Sequence, residues 1–176
     1  MDIGSNHFAL FGLPERFALD VNALAAAYRD VQNEVHPDRF AAAGTTEQRV
    51  ALQWATRANE AYRTLRDPAR RAAYLCTLRG ADLETESNTT MPQEFLIRQL
   101  EWREALEDAQ SADDGAALEK LEAALRDERN ALIRRLEIAL DEAPQIEVAV
   151  EAVRQLMFIE RYSEDLANVA EKLDAS

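Results

Sequence analysis

Residues 20–40 read DVNALAAAYRDVQNEVHPDRF. Val21, Leu24, Tyr28, Val31 and Val35 step by 3, 4, 3 and 4, the spacing that lines one face of an α-helix. Asp20 stands where an N-cap belongs. Pro37 ends the helix, because the residue before a proline is pushed out of the α region. The stretch therefore predicts a helix over 20–35 that stops at a polar loop carrying His36-Pro37-Asp38. Beyond the loop, Thr45 and Gln48 match a capping box, and Ala51, Trp54, Ala58, Ala61, Tyr62 and Leu65 share one side of a second helix. Asp67-Pro68 starts a third, with Asp as N-cap and Pro at the first helical position. Gly80 is placed to end it as a C-cap.

From Gly80 to Pro92 the sequence is polar, poorly periodic and closed by a proline, the character of a linker. Three longer helices are predicted after it. One opens at Pro92 and reaches about Gln110, and Asp113-Asp114-Gly115 turns the chain. Leu118, Leu121, Leu125, Leu132, Leu136 and Leu140 then form a narrow seam. Pro144 opens the last helix, with Ala152, Leu156, Ile159, Leu166, Ala170 and Leu173 on its seam. Short turns between three such helices imply an antiparallel bundle, and no alternating strand pattern occurs. The predicted organisation is all-α, with a module over 1–79, a linker over 80–91 and a three-helix bundle over 92–176.

Charge divides along the same line. Residues 1–79 hold 10 Arg against 9 Asp and Glu, whereas residues 80–176 hold 10 cations against 24 anions. That asymmetry suggests two modules with different partners. The net charge of −13 argues against a nucleic-acid binder, which needs clustered cations. A single cysteine, Cys76, excludes an intramolecular disulfide framework and a thiolate zinc site. With only His7 and His36 beside it, no metal cluster and no cofactor are expected. The 5 glycines supply no phosphate-cradling loop. There is no signal-peptide pattern and no long apolar run, so no membrane partner and a cytoplasmic location are expected, and the Asn88-Thr89-Thr90 sequon has no meaning there.

By itself His36-Pro37-Asp38 has two readings. It suits a plain helix end, with imidazole near the negative end of the dipole, proline as the stop and Asp starting a turn. It also suits a rigid loop presenting an imidazole and a carboxylate to a basic group of a partner. The surrounding residues add Phe8-Ala9-Leu10-Phe11-Gly12-Leu13, Asn59-Glu60-Ala61-Tyr62-Arg63-Thr64-Leu65 and Asp67-Pro68-Ala69-Arg70-Arg71-Ala72-Ala73-Tyr74. Together these resemble a J-domain, the module that activates DnaK-class (heat-shock protein 70 family) ATPases. Phe95-Leu96-Ile97-Arg98-Gln99-Leu100-Glu101-Trp102-Arg103-Glu104 and Arg154-Gln155-Leu156-Met157-Phe158 resemble the HscB-type co-chaperones of iron–sulfur cluster assembly. The resemblance implies an N-terminal J-domain helical hairpin plus a C-terminal antiparallel three-helix bundle. It also implies a specialised ATPase partner, HscA, and a client, the cluster scaffold protein IscU. His36, Pro37, Asp38, Arg39 and Arg29 match the chaperone-binding positions. Two departures stand out. Arg39 replaces the family's usual Lys, and residues 24–35 carry only Arg29, beside Asp30 and Glu34, where the family is rich in cations. Docking to the ATPase is expected to be weaker or rearranged.

With Phe95 at zero and about 100° per residue, Phe95, Trp102, Leu106 and Ala109 fall in one sector of roughly 60°. Leu96, Leu100 and Ile97 fall at roughly 100°, 140° and 200°, on a face shared with Glu101, Glu104, Glu107 and Asp108. A helix buried on one side does not need that second stripe. It either touches the first module, lies exposed without a role, or binds a protein through an apolar patch rimmed by carboxylates. The family resemblance implies the last, with Leu96, Ile97, Leu100, Glu101, Glu104, Asp108 and Phe158 at the scaffold-binding positions. Phe158 lies off its own helix's seam, which predicts a surface position. Cys76 reads as a buried apolar residue. The leading function is a non-enzymatic adaptor that stimulates the ATPase and holds the client. The alternatives are a J-domain adaptor for another client, or a helical hydrolase using His36 and Asp38 as acid and base, for which no nucleophile motif is present.

Overall fold

A computed structural model describes residues 5–40, 44–81, 83 and 91–174. The described residues form helices and turns with no strand among them. The chain divides into two compact units, Met1–Leu75 and Cys76–Ser176. The linker expected over 80–91 falls largely on residues 82 and 84–90, outside the described ones, as does the Asn88-Thr89-Thr90 sequon.

The first unit begins with the short helix α1 (His7–Leu10), capped by Asn6, whose side-chain oxygen accepts the Ala9 N–H at 2.9 Å. Helix α2 (Val21–Val35) starts as the sequence predicts. The Asp20 carboxylate accepts the N–H of Asn22 at 2.8 Å and of Ala23 at 3.3 Å, answering two of the amides that a helix start leaves without partners. Leu24, Val31 and Val35 are buried, whereas Val21, in the same periodic set, is exposed in the first turn. Helix α3 (Thr45–Arg66) buries Ala51, Ala58, Ala61 and Leu65 on its inner side. Its start differs from the expected Thr45–Gln48 box. Gly44 is the cap, and Glu47, three residues on, accepts the Gly44 N–H at 3.1 Å. The extended backbone of Gly44 shifts the register back by one residue, so Glu47 takes the reciprocal position and Gln48 instead donates to the Phe40 carbonyl at 3.1 Å. Helix α4 (Pro68–Leu78) is capped by Asp67 as predicted, through the Arg70 N–H at 2.9 Å.

Small residues on α3 let α2 approach, and Phe8, Phe17, Leu24 and Leu65 fill the space between elements. Among the described residues, Arg71 is the buried cation of this core. Its guanidinium lies 4.9 Å from the centroid of the Phe17 ring and donates to the Leu65 carbonyl at 2.6 Å, closing one of the orphan acceptors at the end of α3.

The second unit holds α5 (Gln93–Ala112), α6 (Gly115–Glu137) and α7 (Ile146–Asp174). Asp113 takes a left-handed conformation (φ 53°) and Asp114 caps α6 by accepting the Ala117 N–H at 3.0 Å. Leu118, Leu121, Leu125, Leu132, Leu136 and Leu140 are all buried, which is the seam read from the sequence. The end of that seam differs in form. The chain leaves α6 through a π-helical turn, Ile138–Glu142, that holds Leu140. Pro144 does not open α7. The N–H groups of Ala143 and Gln145 are tied back to the carbonyls of Ile138 and Ala139 at 2.8 and 2.9 Å, so the next helix begins at Ile146. Ion pairs Arg129–Glu160 at 3.2 Å and Arg135–Glu151 at 2.7 Å join α6 to α7. Such surface pairs contribute at most about 1 kcal/mol each, so the buried seam carries the bundle. No helix among the described residues is long and apolar enough to cross a membrane.

Candidate functional site

Two sets of residues stand out, one in each unit. In the first, His36 is the C-cap of α2 and is exposed, and Pro37–Phe40 form a short 3-10 turn closed by the Arg39 N–H on the His36 carbonyl at 3.0 Å. Proline therefore does what its chemistry dictates: it stops α2 and turns the following residues away. The Arg39 guanidinium reaches back and donates to the Asn33 carbonyl at 2.9 Å. A cation there satisfies an orphan acceptor and suits the negative end of the helix dipole. Arg29 is exposed on α2, with Asp30 and Glu34 exposed nearby.

The hairpin that holds this loop is tied by a polar bridge invisible in the sequence pattern. The Asn59 side-chain oxygen accepts from the Tyr28 hydroxyl at 2.6 Å and from the Gln32 amide at 2.7 Å. Tyr28 also stacks on Tyr62, with ring centroids 4.2 Å apart and planes 19° from parallel. α2 and α3 are thereby fixed in register as well as packed.

In the second unit α5 has two unlike faces. Phe95 and Ala109 are buried and Trp102 and Leu106 half-buried, matching the predicted core sector. Leu96, Ile97 and Leu100 are 45%, 49% and 58% exposed. Glu101, Glu104, Glu107 and Asp108 are exposed around them. Hydrophobic side chains that large, on one helix and ringed by carboxylates, form a patch of the kind that binds protein.

Phe158 is placed differently from the sequence expectation. It is half-buried on α7, edge-on to Phe95 at 5.7 Å and stacked on Tyr162 at 5.8 Å. Its position off the seam reflects the aromatic contact between α7 and α5 rather than free exposure. With Gln99, Arg103, Leu106 and Tyr162 it lines a cleft of about 420 Å³ between α5 and α7. Glu107 lines the same cleft, whereas Leu96, Glu104 and Asp108 do not. The Tyr162 hydroxyl donates to the Trp102 carbonyl at 2.7 Å, and burial raises its pKa. Met157, exposed beside Phe158, escaped the sequence reading because a lone apolar residue on a polar face carries no periodic signal.

Neither unit offers a metal centre among the described residues. Cys76 is fully buried, and desolvation pushes its thiol up to about 11, so it stays protonated at neutral pH and is a packing residue.

Residues 91–167 match the protein family described as the HSCB C-terminal oligomerisation domain. Over 174 residues the chain is 55% identical to the co-chaperone protein HscB homologue of Burkholderia multivorans, covering 99% of each. The chain belongs to the HscB co-chaperone family. The HscB homologue of Burkholderia cenocepacia is matched to the same degree. Among solved structures, the chaperone HscB of Vibrio cholerae is 34% identical, with a TM-score of 0.85 over 96% of this chain and 99% of that one. Human co-chaperone protein HscB is 26% identical, with a TM-score of 0.88 over 95% of this chain and 83% of its own. The expected family, the HscB-type J-domain co-chaperones of iron–sulfur cluster assembly, is the one found, and the all-α fold is that of its HscB neighbours.

Proposed function

We propose that this HscB-family chain stimulates ATP hydrolysis by an HscA/DnaK-class chaperone and delivers the iron–sulfur scaffold protein IscU to it. The His36-Pro37-Asp38 loop, with Arg39 and Arg29, meets the ATPase. Leu96, Ile97, Leu100, Glu101, Glu104 and Asp108 meet the scaffold, with Phe158 bordering them. The observation that carries the reading is α5 itself, which buries Phe95 and Ala109 yet exposes three large apolar residues among carboxylates. One chain holding both surfaces raises the effective concentration of client at the chaperone. The chain acts as an adaptor and not as an enzyme: relatives at 55% identity are named co-chaperones. Its one thiol is buried and protonated, so the cluster travels as the scaffold's cargo.

The test is steady-state ATP turnover by a purified HscA-class ATPase with this chain and with IscU. The chain alone stimulates turnover, and chain plus scaffold stimulates it further. His36→Gln abolishes stimulation while helical circular dichroism and melting stay nearly unchanged, because His36 is an exposed cap residue. Full stimulation by that variant contradicts the role of the loop. Turnover of a substrate by this chain with no ATPase present favours the hydrolase reading.

A further inference from the structure

α6 and α7 face each other differently along their length. Midway along the pair, α6 supplies arginine and α7 supplies glutamate, and Arg129–Glu160 and Arg135–Glu151 join them at 3.2 and 2.7 Å. Where α6 starts and α7 ends, that pattern is gone. The two helices leave a groove of about 450 Å³ there. Leu118 of α6 and Leu166 of α7, both buried, supply its apolar floor. Gly115, Ala167 and Ala170 also line it, and side chains that short leave the space between the helices unfilled. The lining comes from α6 and α7, so the groove is a separate surface from the Leu96–Leu100 stripe of α5.

The rim is acidic on both sides. Glu119 and Glu122 come from α6 and Glu171 from α7. All three are exposed, and none forms an ion pair among the described residues. The neighbouring Lys120 and Lys172 do not line the groove. Like charges gathered round one groove disfavour one another, and a cation seated among them relieves the repulsion.

An apolar floor with an anionic rim selects its occupant. A second bundle would bring more carboxylates, since residues 80–176 hold 24 anions against 10 cations. A cationic amphipathic helix meets both demands. Its apolar side chains at i, i+3 or i+4 and i+7 enter the groove, and its lysines or arginines meet the glutamates. Ala167 and Ala170 stand about one helical turn apart on α7, and small residues at a helix contact let the axes approach closely. We infer that this groove docks a lysine- or arginine-rich amphipathic helix of a partner protein, which packs as a fourth helix against α6 and α7.

The test titrates the full chain with a synthetic amphipathic helical peptide of leucine, alanine, lysine and arginine and follows the backbone amide resonances. Shifts are expected over Gly115–Glu122 and Ser163–Glu171. Affinity should weaken with salt and fall at least about tenfold in Glu119→Gln/Glu122→Gln/Glu171→Gln. Ala167→Leu/Ala170→Leu fills the groove with a good helix former and should abolish binding with the melting temperature undiminished. The charge variant keeps the inference testable if the filled variant melts early. Absence of shifts at the groove overturns the inference. A scrambled peptide of the same composition has no apolar face, and equal binding of it with the same shifts reduces the contact to charge alone and overturns the inference. Self-association of the chain that Ala167→Leu/Ala170→Leu abolishes makes a second copy the occupant and overturns it as well.

Discussion

Helices α5 and α6 lie in the same bundle and treat their apolar residues in opposite ways. Every seam leucine of α6, from Leu118 to Leu136, is buried. α5 buries Phe95 and Ala109 but leaves Leu96, Ile97 and Leu100 about half exposed. A narrow stripe with nothing left over is what a purely structural helix needs. A helix with a second apolar stripe contributes surface that its own fold does not use. The lesson concerns interpretation of substitutions: on the proposed function, the same Leu→Ala change is a stability experiment in α6 and a binding experiment in α5.

The comparison breaks most sharply at Leu136, which is fully buried. Leu136→Ala should destabilise the bundle by about 2–5 kcal/mol through lost burial and a residual cavity. Urea unfolding followed by circular dichroism checks it, and a loss below about 1 kcal/mol would mean α6 is not the core helix described. Phe158 sharpens the contrast because it belongs to both regimes. Packed on Phe95 and Tyr162 but half-exposed, it should on change to alanine lose about 1–2 kcal/mol of stability, less than a fully buried phenylalanine, and also weaken scaffold binding. Loss of binding with no change in stability would return Phe158 to a purely surface role.

The carboxylates give a smaller and kinetic effect. Glu101→Gln, Glu104→Gln and Asp108→Asn together remove the exposed rim without touching the core. Association with the scaffold should slow, with dissociation and stability nearly unchanged. Stopped-flow mixing separates the rates, and a change confined to dissociation would place these carboxylates inside the contact.

The smallest expected effect distinguishes the two units. Both histidines, His7 and His36, are in the first unit and the bundle has none. His7 stacks on Tyr74 at 4.3 Å, its Nδ1 is buried with no hydrogen-bond partner among the described residues, and burial lowers its pKa below 6.5, opposed by Glu60 and aided by Arg57. The neutral ring is therefore favoured in the folded state. Its stabilising contribution is present above pH 6.5 and is lost as pH falls from there through the lower folded value. Hydrogen exchange between pH 7 and pH 5.5 should show amides of α1 opening more readily, and His7→Gln should flatten that response. An unchanged response in the variant would assign the pH dependence to another group.

Much of this was legible in sequence, for physical reasons. Asp20 and Asp67 cap their helices because a short acceptor before an apolar period has few other uses. The α6 seam and the two faces of α5 follow from 3.6-residue periodicity alone. What escaped was decided by one-residue shifts or by tertiary contact. Gly44 rather than Thr45 caps α3 because Glu47 reaches back to it. The π turn at 138–142 is five residues long and leaves no period to read. Phe158 is off its seam because Phe95 and Tyr162 supply an aromatic neighbour from outside that seam, and the Tyr28–Asn59–Gln32 bridge joins residues far apart in the chain. The loop at His36 was legible as a motif, whereas the groove between α6 and α7 became visible only where Gly115 and Leu118 meet Ala167 and Ala170 around it.

The central claim is that the second stripe of α5 is a client-binding surface and not part of the core. Calorimetric titration of IscU into the full chain and into Leu96→Ala/Ile97→Ala/Leu100→Ala tests it most directly, with a melting curve of each protein as control. Alanine keeps helix propensity, and interface energy concentrates in a few apolar anchors. The account predicts affinity at least about tenfold weaker, equivalent to about 1.4 kcal/mol, with the melting temperature nearly unchanged. Unchanged affinity would contradict it, and so would lost affinity accompanied by a large fall in melting temperature, which would put these residues in the core.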